Sequence, residues 1–191
     1  MNSPSYSMRI IGGKWRGRKV SFAHHEEIRP TPGRIRETLF NWLQGYVYGA
    51  TCLELYAGSG ILSLEALSRG AKSVTLVEHS ILVHNHLKTE LNNISDDPGS
   101  YHCYNKPALS WLSAPLSKPF DIIFLDPPFS GAELSKILPL LTAKHLLSRD
   151  GVIYIESPRK ILEEDISPQL EIFKQKKAAS VHYCLCRLKY R

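Results

Sequence analysis

The 191-residue chain has little of what marks metal-binding, secreted or membrane-spanning proteins. Its four cysteines, Cys52, Cys103, Cys184 and Cys186, form no C-x-x-C pair and have no histidine partner at zinc spacing, so no metal is expected. Cys184 and Cys186, two apart in an apparent strand, read as small apolar residues on one face. No apolar run approaches a transmembrane span, and the N-terminus has no apolar core of the signal-peptide kind. These absences predict a cytoplasmic protein with reduced thiols and no membrane partner. Repeats and low-complexity segments are missing too, and a hydrophobic fraction of 43% excludes disordered and fibrous classes.

Charge is present but unevenly placed. Residues 1–45 hold eight Lys/Arg against three acids, residues 46–171 hold ten against fifteen, and residues 172–191 hold six against none. A mildly acidic middle with basic ends fits a catalytic core flanked by contacts to a polyanion, because phosphate attraction supplies much of nucleic-acid affinity.

Met8 to Val20 sets two short apolar segments around Gly12-Gly13, with the cations Arg9, Lys14, Arg16, Arg18 and Lys19 and the single aromatic Trp15. The pattern predicts a hairpin with a basic face, and cations interleaved with an aromatic suit phosphate and base contacts. Arg29-Pro30-Thr31-Pro32 then opens a helix with Thr31 as candidate N-cap. Ile35, Leu39, Phe40 and Leu43 share one face of it, leaving Arg34 and Arg36 as further candidates for nucleic-acid contact. Residues 1–45 are thus expected to form a basic hairpin-and-helix extension, and residues 46–191 a single catalytic unit.

From Thr51 onward strands and helices alternate, the sign of a parallel sheet with crossovers. Strands are expected near 51–56, 73–78, 101–104, 120–125, 151–156, 169–174 and 181–188. Helices are expected near 61–69, 80–93, 107–113, 131–147 and 159–165. The link between the last two strands is too short for a parallel crossover, so they should pair antiparallel.

Two strand ends carry chemistry. Leu53-Glu54-Leu55-Tyr56-Ala57-Gly58-Ser59-Gly60 is a strand entering a Gly-x-Gly turn that opens a helix, where close backbone approach and unpaired amides suit a nucleoside cofactor. Glu78 ends the next strand, about 20 residues on, where a carboxylate can take both ribose hydroxyls. Glu54 could hold an ammonium group. NAD and S-adenosylmethionine both satisfy this geometry, but Ser63 stands where a dinucleotide fingerprint has its third glycine.

The second strand end favours the methyl donor. Phe120-Asp121-Ile122-Ile123-Phe124-Leu125 reads as a buried parallel strand that empties into Asp126-Pro127-Pro128-Phe129. The Asp126 carboxylate and the Pro127 carbonyl are two acceptors beside the flat face of Phe129. Such a set suits a planar group with an exocyclic amino group, such as adenine, cytosine or guanine. Hydride transfer has no evident use for it.

In this order, Ile-Ile-Gly-Gly-Lys-Trp-Arg-Gly-Arg, Arg-Pro-Thr-x-x-Arg-Ile-Arg-Glu-Thr-Leu-Phe-Asn, Ala-Gly-Ser-Gly and Asp-Pro-Pro-Phe resemble the bacterial 16S rRNA guanine-N2 methyltransferases, from about Met8 to the terminal hairpin. The resemblance implies a Rossmann-like α/β fold, with a mostly parallel seven-stranded sheet, an antiparallel terminal hairpin, and the basic N-terminal hairpin and helix. It implies transfer from S-adenosylmethionine to the guanine at position 966 of 16S rRNA, within a small ribosomal subunit or an assembly intermediate. It also implies that Glu78 holds the ribose, that Tyr56, Ala57, Gly58, Ser59 and Gly60 surround the methionine half, and that Asp126, Pro127 and Phe129 meet the base. One position departs from the family pattern: Pro107 precedes Ala108 where many members place an acid or amide for the adenine. That contact is expected to pass to a backbone group or to Asn105. The alternative from the residues alone is adenine-N6 methylation of DNA or RNA, since Asp-Pro-Pro-Phe does not itself choose the base.

Overall fold

The computed structural model describes residues 6–22, 31–116, 118–128 and 133–189. In chain order the elements are β1 (Tyr6–Arg9), β2 (Lys19–Phe22), α1 (Gly33–Trp42), β3 (Thr51–Leu55), α2 (Ile61–Ser68), β4 (Ser73–Glu78) and α3 (Ile81–Ile94). They continue with β5 (Tyr101–Asn105), α4 (Ala108–Ser113), β6 (Phe120–Leu125), α5 (Glu133–Ala143), β7 (Leu147–Ser157), β8 (Leu170–Ala178) and β9 (Val181–Leu188).

β1 and β2 pair as a small antiparallel ribbon, and the other seven strands form one sheet in the order β5-β4-β3-β6-β7-β9-β8. The strands from β5 to β7 are parallel, while β9 runs antiparallel to both β7 and β8. The closing hairpin turns through Ala179 and Ser180, with Ala179 left-handed at φ 52. Strand order reverses between β3 and β6, so the crevice for a ligand opens beyond the carboxyl ends of those two strands.

The apolar run of β6 is long because both of its faces are buried. Ile122 and Phe124 enter one core cluster with Leu39, Phe40, Leu62 and Tyr154. Ile123 and Leu125 enter the other with Trp111, Ile137, Ile155 and the cysteine pair Cys184 and Cys186. Ile10, Trp15, Val20, Ile35 and Leu43 belong to the first cluster, so the basic N-terminal segment and the sheet share a core.

Several sequence expectations need correction. The basic hairpin does not turn tightly at Gly12-Gly13. Its strands are Tyr6–Arg9 and Lys19–Phe22, and the loop between them is pinned to the last turns of α2. Lys14 N–H donates to Ser68 O at 2.7 Å, Trp15 N–H to Ser68 Oγ at 2.9 Å, and Ile11 N–H to Glu65 Oε1 at 2.7 Å. Thr31 is not the cap of α1: Pro32 takes that position without a side-chain bond, and the Thr31 hydroxyl donates to Glu156 instead. α5 stops at Ala143, where His145 turns left-handed at φ 52 and β7 begins at Leu147. The helix expected over 159–165 is only a 3-10 turn, Glu163–Asp165. There Arg159 grips both oxygens of Asp165 at 2.9 and 2.6 Å, and Asp165 also accepts the Leu162 amide. Such a local clasp competes with helix formation.

Candidate active site

The glycine turn after β3 is built from left-handed residues. Tyr56, Gly58 and Gly60 have φ of 63, 51 and 65°. Gly60 is required twice over, because an added Cβ would lie 2.3 Å from Leu87 Cδ1 of α3. Gly58 is different: its nearest neighbour to an added Cβ is 3.9 Å away, so that side of the turn is open. Ala57 N–H donates to Val77 O at 3.0 Å and Gly60 N–H to Ala57 O at 2.7 Å, closing the turn against β4. The non-glycine Tyr56 is fixed by its hydroxyl, which donates to Glu133 Oε2 at 2.5 Å and thereby joins the turn to the start of α5.

Glu78 at the end of β4 is buried, yet it faces the same turn. Its Oε2 accepts Gly58 N–H at 2.9 Å and its Oε1 accepts Ser80 N–H at 2.8 Å, with His79 Nδ1 3.1 Å away. A carboxylate has about four acceptor sites, so lone pairs remain that could take ribose hydroxyls. Asn105, at the end of β5, is exposed and gives its amide to Glu78 O and His79 O at 3.0 and 2.9 Å. Its orientation beside this strand end is therefore fixed.

A group of carboxylates lies at the neighbouring strand ends. Glu54 is 5% exposed; its Oε2 accepts Ser63 N–H at 3.0 Å. Burial pushes its carboxyl up to about 7, against the Ser63 hydrogen bond and with help from Glu156 and Glu78. Asp126, half-buried at the end of β6, is pushed well above the ordinary range by burial, then by Glu156 and Glu54. Glu156, 4% exposed near the end of β7, accepts from Thr31 Oγ1 at 2.9 Å and from the Tyr154 hydroxyl at 2.8 Å, both at Oε1. Burial still raises its carboxyl. Carboxylates held this way favour a cationic ligand, because a nearby positive charge restores their ionised forms.

These features fit S-adenosylmethionine, which has a cationic sulfur, an ammonium group and a ribose. Glu54 would face the ammonium, Glu78 the ribose, and Tyr56 to Gly60 the methionine half; Ala57 and Ser59 of this turn are buried. The acceptors Asp126 and Pro127 begin where β6 ends, beside the turn that follows β3. Phe129 lies outside the described residues. A cavity of about 410 Å³ opens on Pro127 and Pro128 and is bounded by Glu133, Leu138, Glu156 and Arg159, a size within the usual range for ligand sites.

The basic candidates divide. Lys14, Arg16 and Arg34 are exposed, and Lys14 Nζ lies 4.6 Å over the Trp15 ring. Arg9 and Arg18 are exposed as well but also hold backbone: Arg9 donates to Gly17 O at 2.7 Å, and Arg18 to Asn93 O and Ile94 O at 3.2 and 3.4 Å. Trp15 and Arg36 are not surface groups, contrary to their expected contact with nucleic acid. Trp15 is 5% exposed within the core, and Arg36 is 3% exposed with Nη1 2.7 Å from Glu65 Oε1. Arg36 also donates to Arg9 O and Thr31 O, so it braces the N-terminal segment.

Among the described residues no group of three or more His, Cys, Asp or Glu could hold a metal, and no helix is long and apolar enough to cross a membrane. All four cysteines are free.

Sequence and structure comparisons show which known proteins the chain is similar to. A family model described as Conserved hypothetical protein 95 matches residues 8–187. Ribosomal RNA small subunit methyltransferase D of Haemophilus influenzae is 41% identical over 153 residues, covering 80% of this chain and 79% of that one. The protein of the same name from Escherichia coli is 38% identical over 189 residues, covering 97% and 94%. A solved methyltransferase structure from Escherichia coli superposes with a TM-score of 0.86 at 36% identity, covering 97% of this chain and all of the other.

Proposed function

The chain belongs to the Conserved hypothetical protein 95 family, with the ribosomal RNA small subunit methyltransferases D, and we propose that it methylates the N2 amino group of a guanine in 16S rRNA using S-adenosylmethionine. The observation that carries this reading is the position of Asp126 and Pro127 at the end of β6, next to the open glycine turn that ends β3 at the reversal of strand order. On this reading, as the sequence resemblance implies, the target would be the guanine at position 966, presented by a small subunit or an assembly intermediate.

S-adenosylmethionine, when bound, supplies an electrophilic methyl on a positively charged sulfur. The remaining work falls to the chain. An exocyclic guanine amino group is a poor nucleophile because its lone pair is delocalised into the ring. Accepting its two hydrogens at the Asp126 carboxylate and the Pro127 carbonyl would rotate and pyramidalise the nitrogen, so that the lone pair is freed from conjugation with the ring and faces the methyl. Once the methyl has moved from sulfur to N2 and the sulfur is left uncharged, Asp126 would take up the surplus N2 proton. Orientation and charge placement do most of this, since no strong base is needed. The positive charge that arrives with the donor favours ionised Asp126, which the burial of the site otherwise opposes.

RNA affinity would come from the exposed cations Lys14, Arg16 and Arg34, assisted by Arg9 and Arg18, through attraction to phosphates. A guanine paired in a helix hides its amino group, so the target must be in a loop or turned out of the stack, and Phe129 would replace the lost stacking. Asp126→Ala tests the reading: methyl transfer should fall by about 10³-fold or more, with cofactor affinity by calorimetry nearly unchanged. Turnover retained in that variant would overturn the assignment.

A further inference from the structure

Asp126 and Pro127 accept two amino hydrogens and would do so equally for the N2 group of guanine or the N6 group of adenine. Base identity must be read beside the amino group. In guanine the atom flanking C2 on the Watson–Crick edge is N1, which carries a hydrogen; in adenine the N1 beside the amino-bearing carbon is a bare acceptor. A fixed acceptor next to Asp126 would welcome the first and oppose the second.

Glu156 is such an acceptor. Leu125 of β6 pairs with Ile155 of β7, so Asp126 and Glu156 are the next residues on neighbouring parallel strands. Thr31 and Tyr154 both donate to Oε1, which orients the carboxylate and, among the described residues, leaves Oε2 without a hydrogen bond. The same residue bounds the cavity that opens on Pro127 and Pro128. Its other charged or titratable neighbours among the described residues include Glu54, Asp126 and Tyr154. Among the described residues Glu156 is in no ion pair that would explain its burial. A purely structural role at this position would be filled at less cost by an apolar side chain.

We infer that Glu156 is the specificity-determining residue of the site, accepting the guanine N1 hydrogen through Oε2 while Asp126 accepts an N2 hydrogen beside it. Thr31 and Tyr154 are positioning residues for that carboxylate. The inference rests on the N2 methylation proposed above, and supplies the choice of base that Asp126 and Pro127 do not make.

The test uses small-subunit particles reconstituted with 16S rRNA carrying either guanine or 2,6-diaminopurine at the target nucleotide. Both bases offer a 2-amino group, but only guanine has a hydrogen on N1. The full chain should favour guanine by about 100-fold in kcat/KM, the scale expected when a buried polar group is left unpaired. Glu156→Gln, whose amide can turn to donate to N1, should bring the ratio to within about tenfold, and Tyr154→Phe should give an intermediate value. A merely structural role would lower both rates and leave their ratio alone. Calorimetric titration with S-adenosylmethionine shows which variants remain folded; if Glu156→Gln does not, Tyr154→Phe and Thr31→Val decide. A ratio in the folded variants equal to that of the unaltered chain would overturn the inference, as would an unaltered chain that does not separate the two bases. Absence of transfer by the unaltered chain to either particle would instead overturn the N2 reading on which it rests.

Discussion

The Glu78 carboxylate accepts the backbone amide of Gly58 at 2.9 Å, joining the end of β4 to the open turn that follows β3. One side chain thus shapes the turn and presents its remaining lone pairs to a ligand in it. Glu78→Ala should weaken binding of S-adenosylmethionine by about 10- to 100-fold, the loss expected for hydrogen bonds to a charged group. Calorimetric titration gives this directly, and an unchanged affinity would remove Glu78 from the site.

Arg36 and Glu65 form an ion pair inside the core, with exposures of 3% and 0%. Burial lowers the Arg36 guanidinium and raises the Glu65 carboxyl, each shift opposed by the partner's charge. Arg36→Ala leaves Glu65 with only Arg69 Nε at 3.5 Å and the Ile11 amide, so it should cost about 3 kcal/mol of unfolding free energy in urea titration, the low end for a broken buried pair. Any RNA effect should be traceable to that loss of stability.

Lys14 and Arg16 differ from Arg36 in lying at the surface. Changing either to Ala should leave the melting temperature close to its starting value. RNA affinity should fall, and the slope of log affinity against log salt should lose about 0.7 to 0.9 for each phosphate contact removed. A slope unaltered in the double variant would make the loop structural.

Glu54 should make cofactor binding proton-linked. The folded chain keeps it protonated up to a pH of about 7, whereas its ordinary value is 4.5. This group's contribution to stability is therefore fully present below the ordinary value and is lost as pH rises to about 7. Facing an ammonium group it must ionise, so binding near pH 6 should release a proton. Calorimetric heats in buffers of different ionisation enthalpy would reveal it, and buffer-independent heats would contradict it. Glu54→Gln should abolish the release.

Much of this arrangement was legible from local pattern. The run from Phe120 to Leu125 is apolar on both faces because both core clusters use it, and Asp126-Pro127 follows where the strand must stop. Arg36 was misjudged although a signal existed: with Leu39, Phe40 and Leu43 it repeats at three to four residues, so the buried stripe of α1 is wide enough to include it. Its partner Glu65, 29 residues away, has no local mark. Glu156 went unassigned for a related reason. Tyr154-Ile155-Glu156 copies the pattern of Phe124-Leu125-Asp126, an acid closing an apolar strand, but its significance depends on β7 lying beside β6. Strand adjacency and the Thr31 contact across 125 residues are tertiary facts. The failed helix over 159–165 turned on the Arg159 and Asp165 clasp, which is local but needs side-chain geometry to recognise.

The most direct measurement is mass mapping of 16S rRNA from small-subunit particles incubated with this chain and S-adenosylmethionine, with the Asp126→Ala variant alongside. The account predicts one added methyl, on N2 of a single guanine, and none with the variant. A methyl on N6 of an adenine, or transfer that persists in the variant, would contradict it.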